Sequence, residues 1–205
     1  MADTGEIDLY ARRLATYEQE LGPPDHTFPD SSRHRINVHA FGRDFASDCE
    51  DRSDDGYVLL TNGMSNRRMN VPPEVRPDQA KRRAELMWYA REPTPEMCGN
   101  LRWLAAFPFI DDTWLGSGHR VPLPGPALAG SDFKTFLFLT PTIYADQRIS
   151  QALAIGGDPV EILTVHLISE REYDLIKRDG LSPFLRLLDD NDYPFVFDPS
   201  RRSYV

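Results

Sequence analysis

Tyr57-Val58-Leu59-Leu60-Thr61-Asn62-Gly63-Met64-Ser65-Asn66-Arg67-Arg68-Met69, and beyond a proline-containing connector Lys81-Arg82-Arg83-Ala84-Glu85-Leu86, is the stretch on which the fold turns. The apolar run Tyr57 to Thr61 has strand composition. Asn62-Gly63 is turn chemistry, because glycine takes positive φ without steric cost. Pro72, Pro73 and Pro77 make 71–77 an extended connector. Residues 78–91 are then expected to be helical. Ala80, Ala84, Met87 and Trp88 would line one face, with Asp78–Arg82 and Lys81–Glu85 as (i, i+4) ion pairs worth about 0.3 kcal/mol each. The expectation is strand, glycine turn, helix.

Working outward, Ile7, Tyr10, Ala11, Leu14, Tyr17 and Leu21 recur at helical spacing, so 5–21 is a helix that Gly22-Pro23-Pro24 stops. Residues 34–41 alternate Ile36, Val38, Ala40 against Arg35, Asn37, His39, a half-buried strand. Residues 42–56 read as a charged loop. Thr94-Pro95-Glu96 is an N-cap, a proline at the first helical position and an early acid, opening a helix that Pro108 closes. Residues 109–130 are irregular and rich in Gly and Pro. Phe133 to Leu139 is nearly all apolar, as a strand buried on both faces requires. A short helix is expected near Gln147–Ala154 and a strand at 160–168. Ser169-Glu170-Arg171-Glu172 is a capping box for a helix ended by Gly180. Ser182-Pro183 opens a last helix, and Phe195 and Phe197 suggest a final strand. Strands and helices without strict alternation predict an α/β (α+β) single domain, a mixed, largely antiparallel sheet flanked by helices. Residues 1–29 are the N-terminal helix and linker, 30–200 the body, and 201–205 a C-terminal tail.

The chain has 205 residues and a net charge of −9. At that size one core buries roughly 70% of the unfolded surface, so no metal or disulfide staple is needed. Phosphate binding needs clustered Lys and Arg, so the acidic balance argues against a nucleic-acid partner and favours a basic or neutral one. Charge is uneven: Asp48 to Asp55 carries five acids against Arg52, whereas 67–91 carries seven bases against three acids. That is either two solvated faces or a dipolar docking surface. Cys49 and Cys98 stand alone, without zinc or redox spacing, and are expected as free thiols in a reducing compartment. The acidic start Met1-Ala2-Asp3-Thr4-Gly5-Glu6 lacks the apolar core of a signal peptide, and no apolar run is long enough to span a bilayer. The expectation is a cytoplasmic protein with no membrane partner.

Candidate chemistry is thin. Gly116-Ser117-Gly118-His119 is not a nucleophile elbow, and a serine and histidine two apart rarely form a relay. Cys98 falls within an apolar helix, where thiols are usually inert. His34 and His39 point to opposite faces of a strand, and His166 shares a strand face with Val160, Ile162, Thr164 and Ile168. Asp111-Asp112 and Asp189-Asp190 are adjacent acids rather than carboxylates converging across a cleft. No phosphate-binding glycine motif occurs. No catalytic residue, metal or cofactor is expected.

Strand, Gly63-Met64-Ser65 loop and Arg83-Ala84-Glu85-Leu86 together resemble the Suppressor of fused domain family. Further segments follow in the family's order: Leu104-Ala105-Ala106-Phe107-Pro108, Leu115-Gly116-Ser117-Gly118-His119, the apolar strand Phe133 to Pro141, and Val165 to Glu172 followed by Lys177-Arg178-Asp179-Gly180. The resemblance spans roughly 30–200 and fits a short bacterial, single-domain, immunity-protein-like member. It implies a protein-binding module whose partner is a protein, with a cognate toxin domain as one candidate. It also implies that the partner contacts come from the loops that match the family: Gly63, Met64, Ser65, Glu85, Trp114, Gly116, Gly118 and His119. Trp114 would be the anchor, since aromatic side chains dominate interface hot spots. Each has a structural reading too. Gly63 can be required for its φ, Met64 and Trp114 can be core, and Glu85 can tether the Gly-Met-Ser loop through backbone amides. The alternatives to an inhibitor are an enzyme using the Gly116–His119 loop and a regulatory scaffold without a toxin partner. Oligomeric state is not legible in the sequence.

Overall fold

The computed structural model describes residues 4–49, 55–76, 78 and 80–205. Met1 to Asp3, most of the acidic run from Asp48 to Asp55, and the side chain of Cys49 lie outside the described residues.

Among the described residues, eight strands share the fold with six helices. The strands are β1 (His26–Phe28), β2 (Asn37–Arg43), β3 (Gly56–Asn62), β4 (Arg83–Ala90), β5 (Arg120–Pro122), β6 (Thr135–Leu139), β7 (Ala154–Ile155) and β8 (Asp158–Ile168). The helices are α1 (Thr4–Leu21), α2 (Phe45–Cys49), α3 (Pro95–Ile110), α4 (Tyr144–Ala152), α5 (Glu170–Asp179) and α6 (Leu181–Asp190). The sheet runs β1-β2-β3-β4-β8-β6-β5, with β7 paired to β8. Among these strands β4 and β8 pair in parallel, and the other described pairings are antiparallel. The mixed, largely antiparallel sheet expected from the sequence is the one observed.

The expected helix over 78–91 is instead β4, at the centre of the sheet. Its register sets Leu59 against Trp88 and Leu60 against Met87, and Leu86 against Leu163. Helix propensity is a weak preference that burial overrides. Ala84 and Leu86 to Ala90 are apolar on every side, which suits a strand covered on both faces better than one stripe of a helix. Ala84 and Trp88 accordingly face one layer and Met87 the other. The expected (i, i+4) pairs fall with the helix: Asp78 pairs with Arg76 at 2.8 Å, and Glu85 is fully buried.

One face of the sheet (Val38, Ala40, Leu59, Leu86, Trp88, Phe136, Leu163) packs against α3 through Met97, Leu101, Leu104 and Ala105. Trp88 and Phe136 meet edge to face, with centroids 5.9 Å apart. The opposite face packs against α1 and α4 through Tyr17 and Ile149 at one end, and against α5 and α6 through Ile176 and Phe184 at the other. The expected helix ends recur in α3, capped by Thr94, and in α5, where Ser169 and Glu172 form the capping box. Pro108 lies inside α3 rather than ending it. It sits in the last turn, and the helix closes at Asp111 N–H, which donates to Phe107 O at 3.1 Å. The expected strand at 195–197 is irregular chain whose Val196 and Phe197 are buried. β1, α2 and β5 occupy segments expected to be loops.

Candidate functional site

The Gly63-Met64-Ser65 loop wraps one buried carboxylate. Glu85 points to the α1 side of the sheet, just beyond the Leu60–Met87 pair where the β3–β4 ladder stops. It accepts hydrogen bonds from Gly63 N at 3.0 Å, Met64 N at 3.3 Å, Ser65 N at 3.0 Å, Ser65 Oγ at 2.6 Å and Thr61 Oγ1 at 2.7 Å. Buried charge is tolerated only when paired and bonded in this way. The ionic partner comes from α1: Arg13 Nε lies 3.4 Å from the carboxylate. Arg13 also donates to Asn62 Oδ1 at 2.8 Å, Ser65 Oγ at 3.1 Å and Asn66 Oδ1 at 2.7 Å, and it is 2% exposed. Tyr17 on the same helix donates to Thr61 O at 2.9 Å.

Gly63 has φ +142°, and a Cβ there would stand 2.6 Å from Arg35 O and 3.0 Å from the Tyr10 hydroxyl. The loop approaches this backbone as only glycine can. Beside it, Asn62 Nδ2 lies 3.2 Å from His39 Nε2, and burial pushes the His39 ring down to about pKa 4. Arg83 donates to Ser65 O at 2.7 Å and shares Asp158 with Arg68.

The second sequence-predicted loop is separate from this cluster in the hydrogen-bond network. Gly118 N donates to Phe138 O at 2.7 Å, and Phe138 N to His119 O at 3.0 Å, hanging the loop on β6. The Trp114 and His119 rings pack together with centroids 4.0 Å apart and planes tilted by 58°. A Cβ on Gly116 would stand 2.7 Å from the Trp114 ring, so glycine makes room for the indole. Burial lowers the His119 pKa, against a bond to the Trp114 backbone that raises it. Trp114, Gly118 and His119 are half-buried and Gly116 is buried. Gly63, Ser65 and Glu85 are buried beside Arg13 of α1, and Met64 is core, packed in the layer that holds α3. The structure therefore brings the predicted residues together as two groups, an enclosed carboxylate cluster and a partly open Trp114–His119 loop.

Cys98 is buried, which raises its thiol pKa. His166 bonds Thr164 Oγ1 at 3.1 Å, and burial, with Arg201 adding to it, pushes its pKa to about 4. Among the described residues, no cluster of His, Cys, Asp or Glu could hold a metal ion. Among the same residues, no helix is long and apolar enough to cross a membrane.

Two features escaped the sequence reading. One is Arg13, which nothing in the sequence distinguishes from its neighbour Arg12. The other is a groove of about 740 Å³ at the carboxyl end of β4. Ala90, Met97, Leu128, Val196 and Phe197 contribute apolar surface to it, and Glu92, Glu96, Asp192 and Asp198 contribute carboxylates. Thr94-Pro95-Glu96 was legible as a helix start, but nothing local marks 128 and 192–199 as its neighbours.

The family model for Suppressor of fused protein matches residues 33–202. The chain belongs to the Suppressor of fused family. Its fold is similar to that of a Suppressor of fused homologue from Neisseria gonorrhoeae, at 16% identity and TM-score 0.70, over 97% of this chain and 98% of that one. It is also similar to a chain of the Sufu–Fu complex, at 10% identity and TM-score 0.72, over 96% and 92% of the two chains. Drosophila Suppressor of Fused matches at 10% identity and TM-score 0.61 over 100% of this chain, which spans 54% of that protein's chain. No curated protein matches the sequence.

Proposed function

We propose that this chain is a non-enzymatic protein-binding module that acts in the cytoplasm as an immunity protein, binding and neutralising a cognate toxin. The observation that carries the reading is membership of a family one of whose structures is a protein complex, Sufu with Fu. The polar interior supports it. Glu85, Arg13, Ser65 and Asn62 satisfy one another, so they are committed to holding the fold rather than to chemistry. His119 is committed to the Trp114 ring and backbone. The net charge of −9 suits a basic partner, as the nucleic-acid-cleaving toxins would be.

Within this reading the Trp114–His119 loop is the contact, with Trp114 as anchor and Gly116 and Gly118 setting its shape. Gly63, Met64, Ser65 and Glu85 act from beneath the surface by fixing the chain that leads into Met69 and Asn70, which bond the backbone of Leu115 and Thr113. A tagged pull-down from the native host, with bound proteins identified by mass spectrometry, tests the proposal. Stoichiometric recovery of one toxin-like polypeptide, weakened by Trp114→Ala, is expected. Recovery of no specific partner, or of a substrate-processing complex instead, would overturn it.

A further inference from the structure

We infer that the groove at the carboxyl end of β4 is a docking site for a peptide segment that interleaves basic and apolar side chains. The inference rests on the protein-binding reading and deepens it by giving the partner's chemistry and its place.

The groove forms where the sheet invites one. β4 and β8 are the parallel pair, and in open α/β sheets ligands collect outside the carboxyl ends of such strands. Here β4 ends at Ala90, the chain turns through Pro93, and α3 starts at Pro95. The segment after α6 then crosses the same end. Phe197 N donates to Tyr89 O, the last but one carbonyl of β4. This crossing leaves an open trough of about 740 Å³ rather than a filled corner. That is within the range of ligand sites on proteins.

Its floor is apolar, through Met97, Leu128, Val196 and Phe197, each buried at its base. Its rim is acidic. Glu92, Glu96 and Asp198 are exposed and line the opening, with Asp192 beside them, against Arg91 as the lining base. Glu96 is held in place by accepting from Ala129 N at 3.1 Å, and Asp198 by accepting from Ser200 N at 2.8 Å. The acids are therefore presented on fixed backbone around an apolar trench. An acidic peptide is repelled by this rim, and a purely basic one leaves the floor wet. A segment alternating Lys or Arg with Leu- or Val-sized residues matches both surfaces. The docking surface and the acidic balance of the whole chain then select the same class of partner.

The test uses the full chain labelled with 15N, and three fluorescein-labelled decapeptides: alternating Lys and Leu, alternating Glu and Leu, and alternating Lys and Ser. The Lys–Leu peptide is expected to bind saturably and to shift amide signals of 90–97, 128–129 and 192–199 first. The other two are expected to bind at least tenfold more weakly. The paired charge reversal Glu92→Lys and Glu96→Lys should weaken Lys–Leu binding about tenfold, the equivalent of 1.4 kcal/mol. Reversal of two exposed acids elsewhere, Glu18→Lys and Glu74→Lys, should leave it within about twofold, since exposed charges are worth little individually. Amide shifts scattered over the acidic surface, or equal loss in both double variants, would refute the groove. The same two variants in the host pull-down separate the inferences. A partner captured equally by wild type and both variants would leave protein binding standing and remove the groove. No partner captured by wild type would remove the protein-binding reading, while the peptide shifts still decide the groove.

Discussion

Glu85→Gln should destabilise this protein more than its loss of a single charge suggests. Glu85 accepts five hydrogen bonds and one ion pair, and every partner is a donor. An amide has one acceptor oxygen and one NH2 group that can only donate. If the NH2 replaces Oε1, it confronts Gly63 N–H, Ser65 N–H and the Arg13 guanidinium. If it replaces Oε2, it confronts Met64 N–H, and Thr61 would have to turn its hydroxyl proton away while still accepting from Leu86 N at 2.7 Å. Neither rotamer avoids a donor-to-donor contact, and Arg13 is left as a buried cation without its anion. Breaking one side of a buried pair costs about 3–5 kcal/mol. For a chain of this length that is a fall in Tm of about 6–20 °C. Arg13→Met removes the cation instead and leaves the backbone amides on the carboxylate, so its cost should be smaller, about 2–3 kcal/mol. Combined, the two changes should cost less than their sum by about 1–2 kcal/mol, because the double variant strands no unpaired charge. Urea unfolding followed by circular dichroism measures all four proteins. Glu85→Gln within 1 kcal/mol of wild type, or strict additivity of the pair, would refute the argument that the carboxylate and its α1 partner form one unit.

Gly63→Ala should lose about 3 kcal/mol, because its Cβ meets Arg35 O at 2.6 Å in a backbone conformation alanine avoids; thermal melts against Gly99→Ala, where the added Cβ meets nothing, provide the control. Arg201→Met should lose about 3 kcal/mol by leaving the buried Glu172 without the guanidinium that bonds it at 2.7 and 2.8 Å, and differential scanning calorimetry would show it. Stability should also depend on pH through His39 and His166, both held near pKa about 4 by burial. Their folded pKa values lie below the unfolded value of about 6.5, so the unfolded chain binds more protons in between. Stability is therefore full above pH of about 6.5 and falls as the pH drops toward 4, by roughly 3 kcal/mol for each ring. A urea midpoint that stays level from pH 7 to 4.5 would contradict this.

The helix caps, the apolar strand at 133–139 and the strand face shared by His166 and Ile162 were legible because each depends on neighbours in sequence. Residues 83–90 were not, and the reason is physical. Arg83, Ala84, Glu85, Leu86 and Met87 all favour helix in isolation. A charged residue at the middle of a run also suggests a solvent-facing position. What lets a charge sit inside this doubly buried strand is that Glu85 finds its donors on a loop twenty residues earlier and its cation on a helix seventy residues earlier. Neither the loop's backbone amides nor the choice of Arg13 over Arg12 leaves any trace at position 85.

This also bears on where the working unit begins. The family model starts at residue 33, after α1. Yet α1 contributes the counter-ion of the central carboxylate, and Tyr17, which is completely buried against Phe41 of β2. A chain cut at residue 33 would leave Glu85 charged and without its cation, and would open the α1 side of the sheet to water. Such a fragment should unfold rather than bind weakly, so binding measurements on it would misreport the surface chemistry. The matched region carries the recognisable motifs, but the electrostatics of its centre are completed from outside it. Any residue placed at position 13 that cannot reach both Glu85 and Asn66 should therefore weaken the Gly63–Asn66 loop, although it lies about fifty residues from it in the chain.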